Sequence, residues 1–446
     1  MSNPADGPFV HLHNHTHYSL LDGCAKPMRA AQRCVELGMP ALAMTDHGNL
    51  FGAIDFYRSC KKAGIKPLIG CELYYVNDHA QSDRPKRERK RTDDIGDIPE
   101  DYIPPKEDFP KFQIHHKGVI AKNFEGYQNL CKLVSDAHIN GVYYKPRADK
   151  ETLAKYSKGL IGLSGCINGV AAQYLIYGDE ENARKATADF VDIFGKENYF
   201  IEIQDHGMPV QRRIIPGLLK LAKEFDLKVI CANDSHYVYK EDAKPHDALL
   251  CIQTGKIIED ENRMKYPSQE FYLKSRQEMY EIFKEVPESL DNTVHVADMV
   301  DLEITFGEDH YPIFECPPEL GYKDDHAAFD RILDIYEFEK TKVNKQNGDD
   351  AVCKLTPEAR TKHKQNGFVL LDLCKKGLKE RYGVDYDDRA AYVPKEGQRE
   401  DFAAFVCQQM DFQLAIITGT GFVDYFLIVW DFINFARSEG IPVGPG

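Results

Sequence analysis

Short apolar runs alternate with amphipathic stretches from residue 9 to about residue 265. The strand-like runs are FVHLHNH, PALAMTD, KPLIGCELYYV, FQIHHKGVIA, GLIGLSG, NYFIEIQ and LKVICAND. Helix-like patterns such as AKPMRAAQRCVELG and GLLKLAKEFD lie between most of them. Seven strands that alternate with helices predict a parallel α/β architecture, open or closed into a barrel. In such folds, the catalytic groups sit at the carboxyl ends of the strands.

Two polar insertions interrupt the apolar pattern. In the first, residues 79–111, six of the eight residues from Arg84 to Arg91 are basic, and acids and prolines follow. A solvated surface segment is the more common structure for such a run. A loop that contacts phosphate beside an active site is the alternative. The second insertion, residues 339–367, is rich in Lys, Asn and Asp.

The chain after residue 265 has a different pattern. Residues 266–300 predict a short strand and two helices, which form a helical connection to a less regular region at 301–446. That region ends in the aromatic helix GFVDYFLIVWDFINFARSEG. Because Asp424, Asp431 and Arg437 interrupt its apolar surface, we predict a buried or interface helix and no membrane anchor.

Composition narrows the class of protein. A chain of 446 residues is long enough for two or three domains. A net charge of −15 argues against a nucleic-acid binder that relies on bulk charge, but it allows a local basic channel or a fragment of a larger DNA-binding protein. The twelve cysteines include no CxxC pair, and no signal peptide or long apolar run is evident. We therefore expect a cytoplasmic protein with reduced thiols and no membrane contact.

Four histidines occupy alternate positions near the N-terminus: His11, His13, His15 and His17. Alternate side chains of a strand point to one face, so these imidazoles stand in one row if the segment is a strand. Imidazole is a common metal ligand, and Asp22 follows as a possible oxygen ligand. A polar edge strand that is merely rich in histidine is the alternative for this segment taken alone.

Further polar residues follow the other predicted strands. They are Asp46, His47, Glu72, His115, His116, Cys166, Asp234 and His236. Taken singly, Cys166 is typical of a core thiol, and Asp46 of a helix cap. Ionisable groups at the ends of several buried strands are costly unless they are paired or bound to metal. Together they indicate a multinuclear metal centre.

The motifs HLHNHTHYSLLDG, ALAMTDHGNLFGAIDFY, KPLIGCELYYV, LSGCINGVAAQ and NDSHYV resemble the polymerase-and-histidinol-phosphatase (PHP) domain. They are most similar to the PHP domain of the alpha subunits of bacterial DNA polymerase III. GVYYKPRADKETL, HDALLCIQTGK, EFYLKS and GFVDYFLIVWDFINFARSEGIPVGPG also resemble that family. The resemblance implies a distorted seven-stranded PHP barrel over residues 1–265 and an α+β partial polymerase palm over residues 301–446.

The resemblance also implies nine ligands and three metal ions. His13, His15 and Asp234 would hold the first ion, and Glu72 would bridge it to a second ion that His116 and Cys166 complete. The third group would be Asp22, His47 and His236. Glu72, Asp22 and Asp234 are the expected catalytic carboxylates.

Three further histidines and one acid are expected to have supporting or passive roles. His11 and Asp46 are expected behind the ligands, where they would orient them. His17 and His115 are expected to face solvent or the core. Lys145 and Arg147 are candidates for binding the substrate phosphate.

These ligand types imply phosphoester hydrolysis, as in a 3′–5′ exonuclease. The thiolate of Cys166 favours zinc, whereas the histidine and carboxylate sites also suit manganese or iron. In the resembled family, the nucleotide-binding motif and the palm aspartates come after the position of Gly446. We therefore expect a fragment of a DNA-directed DNA polymerase, unable by itself to extend primers.

The whole polymerase is expected to act in chromosomal replication. It would use DNA primer-template, deoxynucleotides and magnesium, with a proofreading exonuclease subunit and a sliding clamp as partners. A stand-alone PHP phosphatase acting on a small phosphate ester is one alternative function. A non-catalytic scaffold is the other.

Overall fold

The computed structural model describes residues 5–84, 102–110, 112–307, 312–347 and 357–444. It divides the chain into two compact units, Met1–Ile304 and Thr305–Gly446. Most of the basic run of the first insertion and residues 348–356 of the second lie outside the described residues. The predicted connection at 266–300 is part of the first unit, because Leu273 and Leu290 are buried in its core.

Eight strands form the sheet of the first unit. They are β1 Ala41–Met44, β2 Lys66–Tyr75, β3 His115–Ala121, β4 Val142–Tyr143, β5 Lys145–Ala148, β6 Leu160–Leu163, β7 Tyr199–Ile203 and β8 Val229–Cys231. Their order is β4-β5-β2-β3-β6-β7-β8, and β1 pairs with the first half of β2. The short pair β4 and β5 was not predicted, but the other strands fall within six of the seven predicted runs. The α/β class is thus confirmed.

Two strands run against the others: the short β4, which is antiparallel to β5, and β3. Strand β3 is antiparallel to both of its neighbours, β2 and β6, where the sequence pattern predicted a parallel sheet. A parallel pair needs a long crossover connection, usually a helix, whereas an antiparallel pair can return directly. The end of β2 lies opposite the start of β3, with Tyr75 facing His115. The first residues of β3 therefore lie at the same edge of the sheet as the last residues of the parallel strands.

The apolar pattern predicts a strand in the histidine-rich segment, but the structure shows no regular strand there. Its backbone hydrogen bonds alternate between β1 and the loop after β8, so it forms no continuous hydrogen-bonded ladder with either one. On one side, the amides of Ala43 and Thr45 donate to the carbonyls of His11 and Asn14, each at 2.9 Å. On the other side, His15 N donates to Ser235 O at 2.7 Å. The segment thus bridges β1 and the loop after β8, so it joins the two ends of the curled sheet.

Ten helices surround this sheet within the described residues. They are α1 Pro27–Glu36, α2 Ala53–Ala63, α3 Phe124–Ile139, α4 Lys150–Lys155, α5 Val170–Ile176, α6 Glu180–Phe194, α7 Pro209–Phe225, α8 Ala243–Thr254, α9 Arg276–Phe283 and α10 Glu288–Met299. Local sequence explains several starts: Pro27 opens α1, and the Asn123 side chain accepts from Gly126 N at 2.9 Å. Ser275 and Glu278 form a capping box at α9.

The second unit is helical in its described part. It contains α11 His326–Asn347, α12 Pro357–Tyr382, α13 Phe402–Gly419 and α14 Val423–Ser438. The described residues of this unit contain no strand, so the α+β expectation is corrected here to helices. Leu371, Leu414 and Leu427 pack in its core. The predicted aromatic C-terminal helix is α14, which buries Leu427 and exposes Phe432 and Phe435.

No single helix in the described ranges is both long and apolar enough to cross a membrane. Helices α13 and α14 pass that test only as a pair, and they are bent by 113° relative to each other.

Candidate metal centre

The centre lies at the edge of the sheet where the parallel strands end. Asp46 and His47 follow β1, Glu72 lies near the end of β2, and Asp234 and His236 follow β8. His116 joins them because β3 begins at this edge. The histidine-rich segment, the loop carrying Asp22 and the turn after β6 that carries Cys166 supply the rest.

Glu72 stands in the middle of the ligand set and is almost completely buried. Its Oε1 lies 3.1 Å from His13 Nε2. Its Oε2 lies 2.7 Å from His47 Nδ1 and 3.1 Å from His116 Nδ1. The Sγ of Cys166 is 3.6 Å from both Glu72 Oε1 and His116 Nδ1. One carboxylate thus contacts ligand candidates from four other segments of the chain.

Asp234 completes a second group with the first two histidines of the set. Its Oδ1 lies 3.3 Å from His13 Nε2 and 3.1 Å from His15 Nε2. The backbone of Asp234 has a φ of 43°, which is uncommon for a residue other than glycine. Strain of this kind concentrates at functional sites, where the surrounding structure holds it.

Asp22 and His236 complete the surroundings of His15 and His47. Asp22 Oδ2 is 2.9 Å from His47 Nε2. The His15 ring stacks on His47 and on His236, with ring centroids 4.1 and 4.3 Å away, and these two rings are themselves 5.9 Å apart. Three triads therefore bring their ligand atoms within 4.8 Å of one another: His13–His15–Asp234, His47–Glu72–His116 and His15–His47–His236.

Hydrogen bonds fix which ring nitrogen faces the centre. His13 Nδ1 donates to Glu202 Oε1 at 2.7 Å, and His236 Nδ1 donates to the Asp234 carbonyl at 2.8 Å. His15 Nδ1 donates to Ser19 Oγ at 3.1 Å. With Nδ1 engaged in each ring, the Nε2 atom points to the centre, as metal-binding histidines require.

Charge within the centre shifts several pKa values in the metal-free protein. Burial lowers the pKa of His47, but the adjacent carboxylates of Asp22 and Glu72, which accept from its ring, outweigh burial and raise the pKa to about 10. Burial also lowers the pKa of His13. The negative charges of Glu202, Asp234 and Glu72 outweigh burial, and the pKa of His13 rises well above its ordinary value. Any ion that binds these two imidazoles must displace their protons, so binding weakens as the pH falls.

The buried polar atoms of this edge fit divalent metals. Six atoms form no hydrogen bond of good geometry, although five of them lie 2.7–3.3 Å from one another in histidine–carboxylate pairs: His13 Nε2, His15 Nε2, His47 Nδ1, Glu72 Oε2, Asp234 Oδ1 and His236 Nε2. Buried polar groups without a hydrogen bond are rare and costly. All six belong to the predicted ligand set, and their nitrogen and carboxylate oxygen donors are those that zinc, manganese and iron accept.

Asp46 lies behind the ligand candidates. Its carboxylate accepts hydrogen bonds from the Thr16 amide at 2.6 Å and from Ser19 Oγ at 2.8 Å. Ser19 Oγ also accepts from His15 Nδ1 and from the amide of His47. Asp46 thus orients two ligand candidates through one serine.

Glu202 performs the same task for His13, and sequence analysis missed it. It lies within β7, and its side chain is fully buried beside Gln204, whose Nε2 donates to it at 2.6 Å. An acid in the middle of NYFIEIQ was a usable signal, because a buried strand with a charged residue needs a partner for it.

His11 does not act on a ligand, which corrects its predicted role. Its Nε2 donates to the Lys274 carbonyl at 2.9 Å. Burial lowers the pKa of His11 to about 4. His115 is buried in the core, and burial lowers its pKa to about 4 as well. His17 is half-buried and packs against Tyr18.

The two phosphate candidates have different surroundings. Lys145 is exposed, and its Nζ lies 4.9 Å from the centre of the Tyr74 ring, which in turn packs against His47. Arg147 is completely buried and donates to the carbonyls of Gly141, Gln81 and Asp83. Arg147 therefore anchors the start of the first insertion, and the expectation that it binds substrate phosphate is corrected.

Comparison with known families agrees with this geometry. Residues 11–206 match the PHP domain family, and residues 369–446 match the bacterial DNA polymerase III alpha NTPase domain family. The DNA polymerase III subunit alpha of Treponema pallidum is 35% identical over 438 residues, which are 98% of this chain and 30% of that protein. That of Borreliella burgdorferi is 36% identical over 439 residues, which cover 98% and 31%.

The chain joins a PHP domain to a segment of the DNA polymerase III alpha family. It spans about a third of the length of the curated alpha subunits that it matches. The PHP match ends at residue 206, so Asp234 and His236 join the centre by geometry outside the matched range.

A two-domain protein from Bacteroides vulgatus, described as containing a predicted PHP-like metal-dependent phosphoesterase, is also similar. It has a TM-score of 0.30 and 12% identity, and the alignment covers 56% of each chain. A similarity this low carries no argument.

Proposed function

We propose that the centre binds up to three divalent metal ions and hydrolyses phosphoester bonds at the 3′ ends of DNA. The observation that carries this proposal is the convergence of six buried ligand atoms that form no hydrogen bond of good geometry and crowd against one another. Metal ions bound between them would compensate the cost of their burial more fully than these contacts do.

The three triads and their neighbours suggest how the ligands divide. In this proposal, His13, His15 and Asp234 form one group, and Glu72 links it to His116 and Cys166. Asp22, His47 and His236 form the third group. The Cys166 thiol favours zinc in the middle group, and the other two groups suit zinc, manganese or iron.

Divalent ions held here would polarise a phosphate oxygen and lower the pKa of a bound water to about 7. Glu72, Asp22 and Asp234 would anchor that positive charge, and neighbouring histidine charges already hold the carboxyl pKa of Glu72 well below its ordinary value, against burial. Glu202 and Asp46 keep the rings of His13 and His15 oriented. Lys145, exposed at the rim, would bind the phosphate that enters.

We further propose that the longer protein is a DNA-directed DNA polymerase of chromosomal replication. The similarity to DNA polymerase III alpha subunits over 98% of this chain supports that activity. Primer-template DNA, deoxynucleotides and magnesium would be its substrates and cofactor. We propose a proofreading exonuclease subunit and a sliding clamp as its partners. Its proposed location is the cytoplasm.

The test combines metal analysis with a nuclease assay on residues 1–446. We expect one to three divalent ions per chain and slow, zinc- or manganese-dependent removal of 3′ nucleotides from single-stranded DNA and mismatched primers. Asp22→Asn should abolish removal, while Asp55→Asn, an acid on α2 that accepts from the Tyr18 hydroxyl, should retain it. A metal-loaded protein without any cleavage would instead support the scaffold function.

A further inference from the structure

Tyr266 contacts the candidate metal centre from a segment outside the PHP family match. Its hydroxyl donates to Asp22 Oδ1 at 3.3 Å, while the other oxygen, Oδ2, lies 2.9 Å from His47 Nε2. The two carboxylate oxygens of Asp22 therefore have separate partners. Tyr266 occupies the one that does not face His47.

The ring of Tyr266 is held on several sides. It packs edge-on against His236, His246 and Phe271, with centroids 5.0, 4.7 and 4.6 Å away. His246, on α8, donates from Nε2 to the backbone carbonyl of Asp22 at 2.7 Å. The same group of rings thus touches both the side chain of Tyr266 and the backbone of Asp22.

The segment before Tyr266 is itself tied to α8. Arg263 donates to both carboxylate oxygens of Asp247, and its side chain is only 3% exposed. Because His246 and Asp247 are neighbours on α8, one helix supports both Asp22 and the segment that carries Tyr266. This geometry fixes the phenol relative to the carboxylate.

The loop of Asp22 needs such support from outside. Leu21, directly before it, has a φ of 60°, which an L side chain rarely adopts. Leu20 and Leu21 are largely exposed, so little packing holds this loop from the solvent side. Inside the loop, the Asp22 amide donates to the Ser19 carbonyl at 2.9 Å, while His47, His246 and Tyr266 hold Asp22 from outside.

We propose that Tyr266 is a positioning residue that orients Asp22 for the third metal ion. The inference rests on the proposed metal centre. By donating to Oδ1, the hydroxyl leaves Oδ2 directed toward the metal position shared with His47. Residues that orient metal ligands in this way typically contribute about 10- to 100-fold to metal affinity.

The experiment measures metal affinity in Tyr266→Phe, which removes one oxygen atom. Metal-free protein is titrated with Zn²⁺ against a chromogenic chelator, and Co²⁺ loading is followed by absorption. We expect one of the three sites to bind about 10- to 100-fold more weakly and its Co²⁺ spectrum to change. The other two sites should keep their affinities.

Tyr272→Phe is the matched control. It removes a phenol hydroxyl from the same segment, where Tyr272 donates to Glu278 Oε1 at 2.7 Å, away from the ligand set. Nuclease assays add a second readout: excess metal should restore the kcat of Tyr266→Phe, and its KM for DNA should match that of the unmodified protein. In an Asp22→Ala background, Tyr266→Phe should have no further effect on metal affinity.

Three results would overturn the inference: unchanged affinity at every site, an equal loss in Tyr272→Phe, or an unmodified protein that lacks the third ion. A metal-loaded protein that cleaves no DNA would refute the proposed function alone. The affinity comparison would still decide the role of Tyr266 in that case.

Discussion

The two units treat their buried polar groups in opposite ways. In the second unit, Asp424 Oδ1 accepts hydrogen bonds from the amide of Phe314 at 2.8 Å and from Asn366 Nδ2. Tyr386 donates to Asp411. Over the described part of Thr305–Gly446, no buried side-chain nitrogen or oxygen lacks a hydrogen-bond partner. The first unit contains such atoms in several places, among them Lys117 Nζ and Tyr199 Oη, and six of them converge at the edge of its sheet.

We interpret this difference as one between polar groups that serve folding and a converging set that is proposed to bind a ligand. A buried acid that serves folding accepts hydrogen bonds from protein donors, because a buried acid without them lowers the free energy of unfolding. In the first unit, acceptors hold the ligand histidines from behind, Ser19 Oγ for His15 and Glu202 for His13, while the front nitrogens of these rings contact other candidate ligands. The predictions below test whether metal ions account for this asymmetry.

The largest effect is expected on nuclease activity. Asp22→Asn or His47→Ala should reduce the rate of 3′ nucleotide removal by more than about 100-fold. Loss of a residue that only orients a ligand typically costs no more than that. The measurement is nucleotide release from a labelled single strand with zinc or manganese. Activity retained within about 10-fold would show that the centre is not the nuclease site.

Chelation should lower the free energy of unfolding of the first unit. A ligand present at 1,000 times its Kd stabilises by about 4 kcal/mol per site, so metal removal should reduce the melting temperature by several degrees. Glu72→Ala should lose more than one ion, because Glu72 contacts atoms of two triads. Hydrogen exchange should show that protection in the second unit is unchanged, and an equal loss of protection in both units would contradict the comparison.

The stability of the metal-free protein should depend on pH through His11. Its folded pKa is about 4, against an ordinary value of 6.5, because burial disfavours the charged ring. Below pH 6.5, the unfolded chain binds a proton that the folded chain excludes. Stability should therefore fall by about 1.4 kcal/mol per pH unit between pH 6.5 and 4, and should be independent of His11 above pH 6.5.

The control for this slope is His11→Gln, whose amide can still donate to the Lys274 carbonyl. Urea unfolding at pH 7 and 5 should show a smaller difference for this variant. Other histidines whose pKa is lowered by burial, such as His115, also make stability fall as the pH falls, so part of the pH dependence should remain in this variant. An unchanged slope would mean that His11 titrates normally in the folded protein.

In the second unit, Asp424→Ala should reduce stability by about 1–3 kcal/mol, because it leaves the Phe314 amide and the Asn366 side chain without their acceptor. Metal content and nuclease activity should not change. Urea unfolding and metal analysis of the same preparation test both parts. Loss of metal in this variant would break the distinction between the two units.

The smallest effect is expected at the rim. Lys145→Ala should raise the KM for DNA by roughly 3- to 10-fold, as for the loss of one exposed charge contact, and should not change the melting temperature. Arg147→Ala should lower the melting temperature and leave the KM for DNA unchanged, because Arg147 is buried and donates to three backbone carbonyls. A KM effect of Arg147→Ala at unchanged stability would restore its predicted role in phosphate binding.

The sequence by itself determined the class of fold and the chemistry of the ligand set. Apolar runs separated by amphipathic stretches predicted strands and helices, and β1, β2, β3, β6, β7 and β8 lie within them. The motifs predicted the relation to DNA polymerase III alpha subunits, which the family and relative comparisons confirm. Residue types and their positions after strands are local properties, so they can be read without long-range contacts.

Only the tertiary structure decided which atoms meet. Periodicity shows the face on which a side chain lies, but not the neighbouring strand or its direction. For this reason, the antiparallel course of β3 could not be predicted, although it brings His116 to the centre. The burial of Arg147 by carbonyls of residues 81 and 83 depends equally on distant segments. The same holds for Tyr266, which reaches Asp22 across 244 residues of sequence because α8 holds its segment there.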